Sequence, residues 1–291
     1  MRPATAYALL SFCVLFWAGN VITARALHDE VPPFTLSFWR WSAALLCLLP
    51  WVARDLIAGA AGIRSGWRRL VPAGILGMAA YSSLVYLGLQ WTSATNAALI
   101  NTALPIVIAA IGGLLYRQRL ALLQWSGVAV SLAGVVVIVL QTGGGPTAVN
   151  PGDLWVLAAV VGFAIYTVCF GRARSGLTPG CYLAATIAIA AAASLPLHLW
   201  EIATRPVTFT RSIVAAVAYL AIFTSILSYA FWNKGVETVG AARAGAFLNL
   251  LPVFTTGLAV ALLDERLNAF HAVGALLILS GIGMTAWRKR R

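Results

Sequence analysis

NAALINTALP (residues 96–105) and RAGAFLNLLP (residues 243–252), 147 positions apart, each set a proline inside an apolar run long enough to cross a bilayer. A proline within a helix has no N–H to donate and crowds the carbonyl four residues before it, so Asn101 and Leu248 are expected to present loosened carbonyls. In hydrocarbon a freed carbonyl needs another partner, and irregular backbone at membrane depth is tolerated where it is buried in protein or lines a watery cavity. Pro105 and Pro252 therefore mark kinks, or gating points, in two helices expected to wall a site. The amides beside them, Asn101 and Asn249, are candidate recognition groups. In either helix alone, kink and amide read equally well as packing features; their repetition favours function.

The composition around these stretches sets the class. Of 291 residues, 61% are hydrophobic and 10% charged, and the mean hydropathy is +0.88. Soluble domains carry about a quarter charged residues, so an all-α, polytopic membrane protein is expected. The net charge of +12 does not point to nucleic acid, because the basic residues fall in short clusters between apolar runs. Cys13, Cys47, Cys169 and Cys181 lie in or beside apolar runs without CxxC spacing, and His28, His198 and His271 are scattered. They suggest no metal, cofactor or disulfide framework, and the thiols read as small buried hydrophobes. Arg2, the apolar run after it and the Ala24-Arg25-Ala26 triplet resemble a signal peptide, but the run is too long for a signal core and has a counterpart later in the chain.

A hydrocarbon core of about 30 Å needs about twenty apolar residues. Such runs lie at 4–24, 35–53, 70–90, 94–115, 121–140, 152–171, 179–199, 212–232, 242–262 and 269–287, which makes ten transmembrane helices. The longest expected loop is 54–69. Assigned to alternate sides, the basic residues split fifteen to four. One side takes Arg2, Arg54, Arg64, Arg68, Arg69, Arg117, Arg119, Arg172, Arg174, Lys234, Arg243 and the tail Arg288, Lys289, Arg290, Arg291; the other takes Arg25, Arg205, Arg211 and Arg266. The richer side is cytoplasmic by the positive-inside rule, which puts both termini there and the chain in the cytoplasmic (inner) membrane.

The two halves match at a nearly constant offset. Trp17 and Phe163, Pro33 and Pro179, and Pro50 and Pro196 are 146 apart; Gly88 and Gly235, Pro105 and Pro252, Arg119 and Arg266, Gly127 and Gly274, and Gly134 and Gly281 are 147 apart. Two five-helix repeats are therefore expected, over 1–143 and 152–291, joined by a linker at 144–151. Five is odd, so the second unit enters the membrane facing the other way, the inverted repeat of carriers that alternate access around a midplane site. Channels also use inverted repeats.

Ten helices in two units, the stretch Tyr86-Leu87-Gly88-Leu89, the proline helices, the turn Asp264-Glu265-Arg266-Leu267 and the spaced Gly274 and Gly281 together resemble the EamA-type drug/metabolite transporters over almost the whole chain. Within that family the chain is most similar to the YddG-like exporters of aromatic amino acids, which implies export of such solutes. It departs from the family pattern at Gln118, where a glutamate often precedes the fifth helix; Glu265 keeps the acid in the second half.

Helix one carries Trp17 and Asn20, three apart on neighbouring faces, and helix six carries Phe163 and Tyr166 at the matching positions. With Asn101 and Asn249 these residues describe a cavity of aromatic planes and amides, suited to a small amphipathic metabolite. Tyr81, Ser82, Tyr86, Ser225, Ser228, Tyr229 and Trp232, from helices three and eight, add to it. Trp39, Trp41, Trp91 and Trp287, near helix ends, read as interfacial belt. Arg40 is the one formal charge well inside a span. It reads either as structural, snorkelling or tying carbonyls, or as a contact for a substrate carboxylate. Gly127, Ser131 and Gly134, with Gly274 and Gly281, line close-packing faces on helices five and ten, against each other or against a second protomer. The Gly143-Gly144-Gly145-Pro146 run lacks the Lys-Ser/Thr of a phosphate loop and links the repeats.

A secondary transporter follows, with a small-molecule substrate and the lipid bilayer as partners, as a monomer or a homodimer. A lipid flippase or an exporter of other drugs and metabolites is the alternative. A membrane enzyme would need clustered acids, a metal set or a nucleophile with its base. The eight acids, Asp29, Glu30, Asp55, Asp153, Glu201, Glu237, Asp264 and Glu265, all fall at expected helix ends or in loops. Transport is therefore expected to follow the solute gradient rather than a proton bound at midplane.

Overall fold

The computed structural model describes residues 3–115, 122–142, 149–170, 176–239 and 247–286. Arg2, Arg117, Gln118, Arg119, Arg172, Arg174, Arg243, Trp287, residues 288–291 and the Gly143–Pro146 run lie outside them, as do the side chains of Pro105, Cys169, Glu237 and Asn249. Every regular element among the described residues is helical: α1 (Pro3–Ala26), α2 (Pro33–Ala58), α3 (Ala60–Gly74), a π-helical segment (Ile75–Ala80), α4 (Tyr81–Gly88), α5 (Ala94–Asn101), α6 (Leu104–Leu115), α7 (Leu122–Thr142), α8 (Pro151–Phe170), α9 (Pro179–Thr204), α10 (Arg211–Tyr219), a second π segment (Leu220–Leu227), α11 (Ser228–Val239), a 3-10 turn (Phe247–Leu250), α12 (Leu251–Leu263) and α13 (Ala269–Ala286).

Local chemistry explains where these helices start. Pro33 and Pro179 open α2 and α9, where a missing N–H has no intrahelical partner to lose. Ser93, Thr178 and Thr210 cap their helices through side chains that accept from Asn96 N, Cys181 N and Ile213 N. Among the described residues, seven helical stretches are long and apolar enough to span a bilayer: Ala4–Ala26, Pro33–Ala58, Ala60–Gly88, Ala94–Gly112, Pro151–Val168, Pro179–Thr204 and Arg211–Trp232. Three shorter apolar helices, Trp125–Ile138, Leu251–Leu263 and Ala269–Gly281, fall where the fifth, ninth and tenth spans are expected. The outer surface is apolar at the depth of these helices, with Leu46 69%, Trp51 84% and Leu122 84% exposed, as a lipid-facing shell requires. Cys47 belongs to this shell rather than to a buried core.

Two expectations need correction. The segment 54–69 is not a loop: α2 runs to Ala58 and α3 begins at Ala60. Its arginines lower the hydropathy without lowering helix propensity, so a span criterion stops short of where the helix does. Second, Pro105 does not kink one long helix. α5 ends at Asn101, a turn follows, and Pro105 is the second residue of a new helix; Pro252 holds the same place in α12 behind its 3-10 turn. The turn is closed by i→i−3 bonds, Thr102 N to Leu99 O (3.0 Å), Ala103 N to Ile100 O (3.1 Å) and Ile106 N to Ala103 O (3.0 Å). A proline in a first turn leaves no hydrogen bond unmade, so a full break relieves what a kink would only spread.

The halves exchange partners. α1 packs on α11 and α12 of the second half, and α8 packs on α4 and α6 of the first. α2 lies along α9, and α7 along α13. The glycine stripes thus face each other within one chain: a methyl added at Gly134 would come 2.7 Å from the Gly274 carbonyl oxygen, and one at Gly274 2.6 Å from Ile138. Gly134→Leu should cost about 1–3 kcal/mol of overpacking and lower the thermal unfolding midpoint in detergent. Gly257→Ala, with nothing within 4 Å of the new methyl, should leave the midpoint nearly unchanged.

Candidate functional site

Helix α2 buries one stripe, Ser37, Arg40, Trp41, Ala44, Leu48 and Val52. The three- and four-residue spacing puts its polar members on the inward face. Arg40, 5% exposed, donates Nε to Ser225 Oγ (2.7 Å) and Nη1 to Asn20 Oδ1 (3.0 Å) and Tyr86 OH (2.9 Å). The Tyr86 hydroxyl in turn donates to Asn20 Oδ1 (2.6 Å). The guanidinium lies over the Trp41 ring, 4.4 Å from its centroid. Arg40 thus neither snorkels nor ties carbonyls; it binds three neutral side-chain oxygens at the junction of α1, α2, α4 and the second π segment.

The π segments reach this cluster through hydroxyls. Ser225 Oγ donates to Leu220 O (2.9 Å), and Ser228 Oγ to Phe223 O (2.8 Å), each five residues back. In the first half Ser82 Oγ bonds Met78 O (2.8 Å) and Ala79 O (3.2 Å), accepts from Trp41 Nε1 (3.0 Å) and lies 2.7 Å from Ser37 Oγ. Each widened turn therefore has its carbonyls bonded by a serine that α2 also holds, through Trp41 and Ser37 in one half and Arg40 in the other. Trp41 is buried, not part of the interfacial belt. The indole N–H needs an acceptor, and Ser82 supplies one.

Aromatic pairs flank the cluster and join the halves. The Trp17 ring is 6.1 Å from Tyr229 and 5.5 Å from Trp232; the Phe163 ring is 5.0 Å from Tyr81 and 5.3 Å from Tyr166. Tyr81 donates to Asn101 Oδ1 (2.8 Å), whose Nδ2 donates to Ala97 O (3.0 Å). Both ends of the Asn101 amide are therefore engaged, and it holds Tyr81 beside the helix break rather than presenting a free group. The backbone of Asn249 lies in the 3-10 turn before Pro252.

At one end of the bundle, acids overlooked by a search for midplane charge tie the halves together. Glu201, buried in α9, accepts from Phe34 N (3.2 Å) and Thr35 N (2.6 Å), and His198 Nδ1 meets Thr35 Oγ1 at 3.1 Å. Glu265 accepts from Ala94 N (2.7 Å), Thr95 N (3.1 Å) and Thr95 Oγ1 (2.7 Å). His271 Nδ1 accepts from Asn268 N (2.9 Å), so its Nε2–H is the donor to Asn96 Oδ1 (2.9 Å). Glu201 and Glu265, both from the second half, thus each cap a helix of the first, where the first N–H groups have no intrahelical acceptor. Buried Asp153 accepts from Thr92 Oγ1, and Asn150 Nδ2 donates to Trp91 O (3.0 Å) at the same end. No group of three or more His, Cys, Asp or Glu side chains among the described residues could hold a metal.

A lipid-facing helical bundle around a buried polar cluster, with aromatic residues from both halves beside it, defines a multi-pass membrane protein. The chain belongs to the EamA-like transporter family, whose sequence model matches it twice, over residues 4–140 and 150–287. It is 30% identical over 98% of both chains to an uncharacterized transporter of Archaeoglobus fulgidus. It is 27% identical to a probable terminal-alkyne amino-acid exporter of Streptantibioticus cattleyicolor, over 97% of this chain and 93% of that one. A solved crystal structure shares the fold with a TM-score of 0.62 at 22% identity, over 98% of this chain and 97% of the other.

Glu201→Ala would leave the Phe34 and Thr35 N–H groups without their acceptor. Hydrogen bonds to a charged partner are worth about 1.5–3 kcal/mol, so the variant should unfold at lower temperature in a detergent melt. Glu201→Gln, which keeps one acceptor oxygen and loses the charge, should fall between it and the parent.

Proposed function

We propose that the protein is a secondary carrier that exports small amphipathic metabolites, amino acids with an aromatic or apolar body foremost, by alternating access around the Arg40 cluster. The observation that carries this reading is the convergence of Asn20, Arg40, Tyr86 and Ser225 at one buried point, with Trp17, Tyr229 and Trp232 on one flank and Tyr81, Phe163 and Tyr166 on the other. Polar groups there orient the head of a solute and the rings take its body.

Several features support alternating access between two inverted five-helix units. The family model matches each half. A π segment interrupts the third rod of each half, and a helix start with proline in second place follows in each. The first helix of each half packs on the other half, so rocking one unit against the other changes the walls around a fixed centre. The ties made by Glu201, Glu265 and Asp153 close one end of the bundle; at the opposite end Thr178 Oγ1 donates to Asp55 Oδ2 (3.1 Å) across the halves. By the arginine and lysine distribution, the end closed by Glu201 and Glu265 faces outward and both termini face the cytoplasm of a cell bounded by this membrane.

Thermal stabilisation of purified protein by a panel of amino acids, sugars and cationic drugs tests the substrate class. At a hundredfold excess over Kd, a ligand specific for the folded state adds about 2.7 kcal/mol. Amino acids with aromatic or branched side chains should raise the midpoint, and Trp17→Ala should abolish the rise while leaving the unliganded midpoint within a few degrees. Stabilisation by cationic drugs alone would overturn the reading.

The acids at the closed end are committed to helix caps and hydroxyls, which leaves recognition to neutral side chains and Arg40. Efflux from substrate-loaded proteoliposomes should therefore persist without a pH gradient or membrane potential. Concentrative uptake driven by an imposed pH difference and abolished by an uncoupler would show that one of these acids carries a proton.

A further inference from the structure

Among the described residues, Arg40 is the only buried arginine or lysine, and it has no carboxylate partner. The buried acids Glu201 and Asp153 have other partners. A charge held inside a membrane protein without a countercharge is unfavourable unless something else supplies one.

The hydrogen-bond inventory shows where that countercharge would go. A guanidinium has five N–H groups and accepts nothing. Nε and Nη1 bond Ser225, Asn20 and Tyr86, while Nη2 makes no protein hydrogen bond. Because arginine can only donate, the Asn20 oxygen must be the atom facing Nη1. The Tyr86 hydroxyl donates to the same oxygen, so Asn20 Nδ2 points elsewhere, and it too has no protein acceptor. Neither nitrogen is sealed off: among the described residues, the fully buried side-chain polar atoms without partners are Ser131 Oγ and Thr255 Oγ1. Two donor groups, one of them cationic, thus have no protein acceptor and are not fully enclosed.

We propose that Arg40 Nη2 and Asn20 Nδ2 form a carboxylate-binding clamp, so that every solute this carrier moves bears an acidic group at the position they hold. The proposal rests on the carrier reading above and adds a chemical requirement to it. A planar carboxylate offers two acceptor oxygens to two donors and supplies the missing countercharge. The same donors reject an amine or a neutral amide, which brings no negative charge.

The test uses the full-length protein in detergent and in proteoliposomes. Matched ligands separate head from body: phenylalanine, its amide, phenethylamine and phenylpropionate. Phenylalanine should stabilise the protein, whereas the amide and phenethylamine should bind about ten- to hundredfold more weakly. Asn20→Asp supplies the decisive variant. It places a carboxylate where Oδ1 now lies, 3.0 Å from Nη1, and so gives Arg40 an internal countercharge. Its unliganded midpoint should be unchanged or higher, while stabilisation by phenylalanine and efflux of it fall at least about tenfold. A purely structural Arg40 would tolerate this change without loss of transport. Binding of phenylpropionate without phenylalanine would keep the clamp and refute the amino-acid reading. Equal binding of amine, amide and acid, failure of any carboxylate ligand to bind, or full transport by Asn20→Asp would overturn the clamp.

Discussion

Helix α2 holds one widened turn from each half of the chain, and the centre of the bundle depends on that double grip. A π segment carries carbonyls that are off the regular ladder, and inside a membrane no bulk water bonds them. Ser82 and Ser225 take up these carbonyls. The serines are positioned by neighbouring residues of α2, Trp41 and Arg40, which turn toward different rods. The buried stripe that carries them therefore sets the relation between the two π segments, and with it the relation between the two halves.

The same economy governs the helix ends. Pro32 precedes α2 and brings no side-chain cap, so the first N–H groups of that helix look outside it and find Glu201. Ser93 caps one N–H of α5, and Glu265 takes the two that remain nearby. Because both acids come from the other half of the chain, satisfying a helix end also ties the halves together. These ties are polar, directional and few, set among apolar contacts that change little when helices slide. In the proposed alternating access, opening this end would exchange them for water, which is available at a membrane surface and not at its centre. That difference explains why acids suit the ends of the bundle, while the cluster in its middle is built from an arginine, an amide and hydroxyls.

Much of this was legible in the sequence. Apolar run lengths marked the seven stretches that reach spanning length among the described residues, because hydrocarbon thickness sets a length that composition must match. The offset of the halves appeared in glycines and prolines, whose backbone demands do not survive a shift in register. Helical spacing put Trp17 with Asn20, and Phe163 with Tyr166, on neighbouring faces, and all four are half-buried. Even the direction of Arg40 was within reach, since Ser37, Arg40, Ala44 and Leu48 recur at helical intervals while Leu46 and Trp51 lie on the opposite, lipid-facing side.

Partner identity was not legible. Hydropathy reads Arg54 to Arg69 as a break in the membrane spans and cannot see that the segment is helical on both sides of Gly59. Proline chemistry is the same for a kink and for a helix start, and only the turn at residues 102 and 103 decided for a start. Trp41 looked interfacial by position and proved buried, because its N–H found Ser82 on another helix. Glu201 and Glu265 looked like ordinary end charges until the exposed N–H groups of α2 and α5 met them. The sequence by itself determined length, periodicity and repetition, which are properties of one strand of residues. Which donor meets which acceptor across helices more than a hundred residues apart was decided by tertiary structure, because a hydrogen bond depends on a distance and an angle that no local pattern encodes.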